Sequence, residues 1–432
     1  MPKPFRLVST IFLHKPYLYH VHIRFILLVL LLLMVAGCQT TMTPETPRIT
    51  GRALLWHGWS DGEADFLEQL VDNFSAINPE TRIITIAVPQ GELLAQYQAS
   101  TAQGIGPDLV IGSSDWVRPL VDAGYIRPIQ DDAISLDDYR SNTIAALRYQ
   151  DEMWGYPMAL EPVALYYNKD LVTTVPRTLD DLLLDVNEEK SIAFVPRFEE
   201  AHWGVQTFGD GLFDEDGNFT LATSGFREWL TWLNEAQSNA GVILNRDGTT
   251  LQRLFIEGKI AYYVAKPTEL TTIVEAMGED VLGVTWLPAG PEGASGPLLP
   301  VETMMLSTAS TKSQAELAIT LARYLTNTEQ TRTLMRTLNR VPANRQVLVD
   351  SRVHPLISGF SQQARTAVTL PNDLDRQDLY TVGDLTYGNV LSGVKTPEEA
   401  VCDFGLAVIE LQGYGPESYE LPPGCSVESP NE

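Results

Sequence analysis

The sequence predicts an α/β protein of two domains, and three observations predict it. Its 432 residues exceed what one hydrophobic core ordinarily fills. Apolar residues make up 44% and charged residues 20%, which supports packed cores and excludes both wholesale disorder and a multi-span membrane protein. Strand-like and helix-like periodicities alternate in two series, and β-α-β order argues for largely parallel sheets covered by helices.

The chain begins with an exception to its own acidity. It carries 55 Asp and Glu against 30 Lys and Arg, yet residues 1–37 hold Lys3, Arg6, Lys15 and Arg24 and no acid. The apolar run Phe25 to Ala36 then leads to Gly37-Cys38, too short for a comfortable bilayer span and right for the apolar region of an export signal. Leu33-Met34-Val35-Ala36-Gly37-Cys38 resembles a lipobox, so cleavage is expected before Cys38, with acylation of that residue. The mature chain then keeps 26 basic residues and a formal charge of −29. Such a chain is a poor partner for nucleic acid, which rewards a basic face. In an exported protein Cys402 and Cys425 are expected to form a disulfide.

Residues 38–51 are rich in Thr and Pro without apolar period and read as a flexible tether. Arg52 to Trp56 is strand-like, and Ser60 with Glu63 has capping-box spacing ahead of a helix built on Phe66, Leu67, Leu70, Val71, Phe74 and Ile77. Strands are predicted at Arg82 to Val88 and Asp108 to Ile111, with a helix at Leu93 to Thr101 between them. The second series has strands at Val163 to Tyr167, Ile192 to Val195 and Ile260 to Val264, and a helix at Phe226 to Ala240. Leu287 to Pro300, with four Pro and three Gly, suits a connection between domains or a surface loop. Lys312 to Gln412 is mostly helical. Trp56, Trp286, Tyr262 and Tyr263 are expected in the core.

Several chemistries are missing. There is no Gly-x-Ser-x-Gly elbow and no phosphate-binding loop, and Gly104-Ile105-Gly106-Pro107 puts Pro where a helix would open. Three scattered His and two paired Cys in the mature chain leave no zinc site and no thiol nucleophile. Asp214 to Asn218 has its Gly too early for a calcium loop and reads as a tight turn. No metal, cofactor or enzymatic activity is expected, although carboxylate pairs leave a secreted glycoside hydrolase as an alternative.

Collinear motifs point further. Trp56 with the helix after it, Gly106-Pro107-Asp108, Tyr156-Pro157, and Tyr166-Tyr167-Asn168-Lys169-Asp170-Leu171 before Pro176 resemble family 1 extracellular solute-binding proteins of ABC importers. Phe255-x-x-Gly258-Lys259-x-Ala261, Gly283-Val284-x-x-Leu287-Pro288 and Ser392-Gly393-x-x-Thr396-Pro397-Glu398-Glu399-Ala400 follow in the same order, over about residues 52–412. The resemblance implies a two-lobe periplasmic-binding-protein-like fold of class II, with discontinuous lobes about a hinge. Lobe 1 is expected at 52–157 plus 301–341 and lobe 2 at 158–300 plus 342–432.

Within that family the pattern is nearest to maltodextrin binders. The resemblance puts Asp115, Glu161 and Glu199 on sugar-hydroxyl acceptors and Tyr380 on an aromatic that stacks on a glucose ring. Ionised carboxylates accept several hydroxyl hydrogen bonds, and an aromatic face covers the apolar face of a pyranose. Gly112, Ala201 and Thr268 stand where that pattern has aromatics, so Trp59, Trp116 and Trp203 are candidate replacements. The expectation is a monomeric, lipid-anchored binding protein on the extracytoplasmic face of the cell membrane, passing a sugar or oligosaccharide to ABC permease subunits. A polyamine or another small solute is the alternative ligand.

Overall fold

A computed structural model describes residues 49–59, 61–130, 134–214, 216–413, 420–422 and 425. The signal segment, Cys38, most of the tether, and Ser60 of the expected capping box lie outside the described residues.

The first half runs β1 (Gly51–His57), α1 (Asp61–Ile77), β2 (Thr81–Ala87), α2 (Gln90–Ala102) and β3 (Leu109–Ser113). After a single turn of 3-10 helix at Ser114–Trp116 come α3 (Val117–Asp122), β4 (Ile126–Arg127), α4 (Ser141–Leu147), the short pair β5 (Arg148–Tyr149) and β6 (Glu152–Met153), and β7 (Tyr156–Leu160). The chain then crosses into β8 (Ala164–Asn168), α5 (Leu179–Asp185), β9 (Ile192–Phe194), α6 (Phe198–Ala201), α7 (Phe226–Ala236), β10 (Val242–Leu244), α8 (Gly248–Ile256), β11 (Tyr262–Ala265), α9 (Leu270–Met277) and β12 (Leu282–Thr285). It returns through β13 (Val301–Ser307), α10 (Lys312–Leu325) and α11 (Thr328–Leu338), and ends with α12 (Pro355–Gln363), α13 (Arg376–Leu391) and α14 (Pro397–Leu411).

Two sheets result. The first has the order β2-β1-β3-β13-β4, with β7 also paired to β13, and the second has the order β10-β9-β11-β8-β12. Neither is largely parallel. In the first sheet β13 runs antiparallel to β3, β4 and β7, and in the second β8 runs antiparallel to β11 and β12. Both reversed strands, β8 and β13, open a half directly after the chain has crossed from the other sheet, so local β-α-β order does not govern their direction.

Alternation on these strands divides the core. On β8, Ala164 and Tyr166 join a cluster continuous with the first sheet, whereas Leu165 joins a second cluster with Trp203, Trp229 and Phe404. On β11, Tyr263 and Ala265 take the first side and Tyr262 and Val264 the second, so the second sheet is covered on both faces. Helices α5, α10 and α14 open with capping boxes, Thr178 with Asp181, Thr311 with Gln314 and Thr396 with Glu399. Asp214 closes its turn with its own carboxylate, which accepts from the Asp216 and Asn218 amides. A disulfide joins Cys402 of α14 to Cys425, with 5.3 Å between the α-carbons.

Candidate functional site

The chain passes between the sheets where β7 gives way to β8 and again just before β13. These crossings lie side by side: Leu160 pairs with Val301 and Ala159 with Glu302, and the Glu161 amide donates to the Pro300 carbonyl at 2.9 Å. Residues directly opposite in an antiparallel ladder share a face, as do residues two apart along a strand. Glu161 and Glu302 therefore project from the same face of the ladder.

Around them the two lobes supply three ion pairs. From the first lobe, Ser113 accepts from the Asp115 amide at 3.2 Å and fixes the turn that presents the Asp115 carboxylate. That carboxylate accepts from Nη1 of Arg376 at 2.8 Å and from the hydroxyl of Tyr380 at 3.0 Å. Arg376 and Tyr380 are four residues apart on α13, hence on one helix face. Arg376 is itself anchored by donating to the Leu370 carbonyl at 2.7 Å and to Asn372 Oδ1 at 2.9 Å.

The second pair lies wholly in the second lobe. Lys266, whose carbonyl accepts from the Tyr166 hydroxyl at 2.9 Å, reaches Glu199 in the first turn of α6 at 2.5 Å. The third brings Arg340, just beyond α11, to 3.0 Å from Glu63 and 3.7 Å from Glu302. Its guanidinium stands 4.9 Å over the ring of Trp59, whose indole N–H donates to Glu302 Oε1 at 2.6 Å.

Electrostatics tie these groups together. Burial pushes the Asp115 carboxyl up, against the nearby Arg376. Burial and then the charge of Glu302 push Glu161 up to about 7, with Lys266 and Arg340 opposing. Burial opposes the charge on Lys266, but Glu199, assisted by Glu161 and Glu200, outweighs it and holds the ammonium above its ordinary value.

Of the residues anticipated from sequence, Asp115, Glu161, Glu199, Tyr380 and Trp59 are brought into this one network. Trp116 is half-buried, and its ring fills the space left by Gly112. A β-carbon at Gly112 would fall 2.1 Å from Trp116 Cζ3. Trp203 is a correction: it is fully buried, 4.6 Å from the ring of Trp229 and 5.7 Å from that of Phe194, in the core of the second lobe. Trp286 corrects the opposite expectation, being 56% exposed, whereas Tyr262 and Tyr263 are buried as expected. Glu63, Lys266, Glu302, Arg340 and Arg376 were not anticipated. The one signal for the cations was their scarcity in so acidic a chain. Among the described residues no cluster of His, Cys, Asp and Glu suits a metal ion, and no helix is long and apolar enough to cross a membrane.

Two α/β lobes, joined by paired crossings and meeting around a polar network contributed from both sides, define a ligand-trapping binding protein. A family model described as bacterial extracellular solute-binding protein matches residues 69–354, and the chain belongs to that family. Among its relatives, a maltotriose-binding protein of Pyrococcus abyssi is 27% identical over 352 residues, covering 76% of this chain and 75% of that protein. A maltooligosaccharide ABC transporter solute-binding lipoprotein of Streptococcus pneumoniae is 21% identical, covering 86% and 92%. The fold matches that of the GacH receptor of Streptomyces glaucescens with a TM-score of 0.74, at 21% identity and 85% coverage of this chain and 100% of that one. It matches the maltose-maltodextrin binding protein of Alicyclobacillus acidocaldarius with a TM-score of 0.73, at 24% identity, covering 83% and 100%.

Proposed function

We propose that this protein captures a sugar or oligosaccharide between its lobes and delivers it to an ABC permease from a lipid anchor at Cys38. The observation that carries the reading is the convergence of Asp115, Glu161 and Glu199, hydroxyl acceptors from both lobes and the crossing between them, beside Tyr380. The names of the relatives, which bind maltotriose and maltooligosaccharides, support the same class of ligand. Contacts made from both lobes favour the closed form, and the bound sugar shifts the equilibrium by its differential affinity for that form. No covalent step is involved. A polyamine fits less well, because Asp115, Glu199 and Glu63 are each already paired with a cation of the protein.

Isothermal titration calorimetry with maltotriose, maltotetraose and a galactooligosaccharide tests the reading, with spermidine as the contrast. Binding of at least one sugar, recovered without new reducing ends, is the expected result. Binding of spermidine and of no sugar would overturn it.

A further inference from the structure

In a chain with 55 acidic and 30 basic residues, an arginine has carboxylates in plenty to pair with. Arg140, Arg345 and Arg365 pair with none. Among the described residues the three make no ion pair and no side-chain hydrogen bond, and all of them line one cavity of about 620 Å³. They act on one another instead: burial, and then the charges of Arg365 and Arg345, hold the Arg140 guanidinium below its ordinary value. Asp350 is the one carboxylate among the described residues of the cavity wall, and both its oxygens accept from Arg352, at 3.0 and 2.7 Å. The neighbouring Asp138 carboxylate accepts from Gln346 at 3.1 Å. Asp115, Glu161, Glu199 and Tyr380 do not line this cavity.

Backbone contacts build the cluster from three parts of the fold. Arg140 immediately precedes α4 in the first lobe. Arg345 follows a third crossing, in which Leu160 donates to the Val341 carbonyl at 2.9 Å and Ala159 pairs with Pro342. Arg365 follows α12, which lies against the second sheet so closely that a β-carbon at Gly359 would fall 2.5 Å from the Val284 carbonyl. The Arg345 amide donates to the Asp138 carbonyl at 2.8 Å, and Asn142 of α4 donates to the carbonyls of Ala364 and Ala367 at 3.2 and 3.1 Å. These bonds fix the chain beside all three arginines, so the like charges are held together against their repulsion. Each guanidinium offers a planar fork that matches an oxyanion bidentately. Three such charges around one cavity call for more than one negative charge, which a phosphate supplies at pH 7, at about −1.5 to −2, and a single carboxylate does not.

We propose that the cavity of Arg140, Arg345 and Arg365 is a phosphate site, taking free phosphate or the phosphate of a small ester, and that the bound anion ties the first lobe to the second beside the crossings. This site is separate from the sugar network and does not depend on the carbohydrate reading. The anion replaces mutual repulsion of the arginines by attraction to a shared centre, and the cavity leaves room for an organic group beyond the phosphate.

Isothermal titration calorimetry on the full chain at pH 7 tests this with inorganic phosphate, and with glycerophosphoglycerol as the soluble counterpart of a lipid headgroup. Saturable one-to-one binding of inorganic phosphate is expected, with no such heat from sodium chloride at matched ionic strength. Glycerophosphoglycerol binding as well would place a lipid headgroup among the sources, and its failure would leave free phosphate and monoesters. Arg140→Gln and Arg365→Gln, taken from opposite lobes, should each weaken phosphate binding about tenfold or more. Arg323→Gln, on α10, removes the same charge elsewhere and should leave binding unchanged. Without phosphate, Arg140→Gln and Arg365→Gln should melt no lower than the parent, because each relieves repulsion between like charges. If neither phosphate compound binds saturably, the inference fails. Parent-like binding by either variant, or equal weakening by Arg323→Gln, also overturns it, as does a large fall in melting temperature without phosphate, which would show that the arginines already have partners in the fold.

Discussion

Oδ1 of Asp115 lies 2.8 Å from Nη1 of Arg376, a residue 261 positions away and on the opposite lobe. The pair is well shielded, with side chains 17% and 7% exposed, so it is a buried ion pair that holds the lobes together. Removing one partner of such a pair costs about 3–5 kcal/mol if the other charge stays buried. Opening the lobes to rehydrate Asp115 is the cheaper response. Arg376→Ala is therefore expected to enlarge the radius of gyration in small-angle scattering and to lower the melting temperature. Asp115→Asn combined with Arg376→Gln, which removes both charges, should recover most of the loss. A scattering profile and melting curve unchanged by Arg376→Ala would show that the pair does not hold the lobes.

Stability should fall as pH rises through the weakly acidic range. Burial is the first cause of the raised pKa of both Glu161 and Glu269, each pushed up to about 7 from 4.5. Tyr263 and Gln252 donate to Glu269 and oppose its shift, and Glu302 adds to that of Glu161. Between pH 4.5 and 7 the folded protein keeps protons that the unfolded chain has released. Both groups therefore stabilise the fold below that window and cease to do so above it, by up to about 3 kcal/mol each. Glu161→Gln should melt higher than the parent at about pH 8 and at the same temperature near pH 4.5. Equal melting temperatures at the alkaline end would remove Glu161 as a source of the effect.

The fold was legible where short-range pattern governs it. The helical period from Phe66 to Ile77 became α1, and the apolar run from Val163 to Tyr167 became β8 displaced by one residue. Strand direction was not legible, because β13 enters the first sheet beside β3 on its return from the other lobe, and nothing local records that pairing. The carboxylates of the site were found through resemblance to known motifs. Their cations were not, since Arg376 meets Asp115, and Arg340 meets Glu63, only once helices far apart in sequence are packed. Trp203 and Trp286 exchanged their expected places for a local reason. Trp203 lies in a stretch of 3-10 helix, His202–Thr207, whose buried face an α-helical period does not reveal, and Trp286 stands one residue past the end of β12.

Gly112 and Trp116 make a second coupled pair. The Trp116 ring packs directly against Gly112, and a β-carbon there would lie 2.1 Å from Cζ3 and 2.2 Å from Cε3. Gly112→Ala must displace the ring, an overpacking worth about 1–3 kcal/mol. Trp116→Ala should remove most of that cost, so a double-mutant cycle by urea denaturation should show a coupling of about 1 kcal/mol or more. If the two changes are additive, the ring does not depend on the glycine.

The carboxyl-terminal segment depends on its disulfide in a way that unfolding can measure. Cys402 sits in the second turn of α14, and Cys425 closes a loop of 23 residues back onto it. Within that loop Leu421 packs against the second hydrophobic cluster, and a β-carbon at Gly405 would approach it to 2.9 Å, so the loop end is seated on the helix. Crosslinking a loop of that length lowers the entropy of the unfolded chain and stabilises the fold by about 3 kcal/mol. Cys402→Ser with Cys425→Ser, or reduction of the parent protein, should lower the free energy of urea unfolding by about that amount. Leu421 should also become more accessible to proteases, because its contact with α14 would no longer be enforced by the bond. If the reduced and oxidised proteins unfold at the same urea concentration, the crosslink contributes nothing and the contacts of Leu421 alone seat the segment.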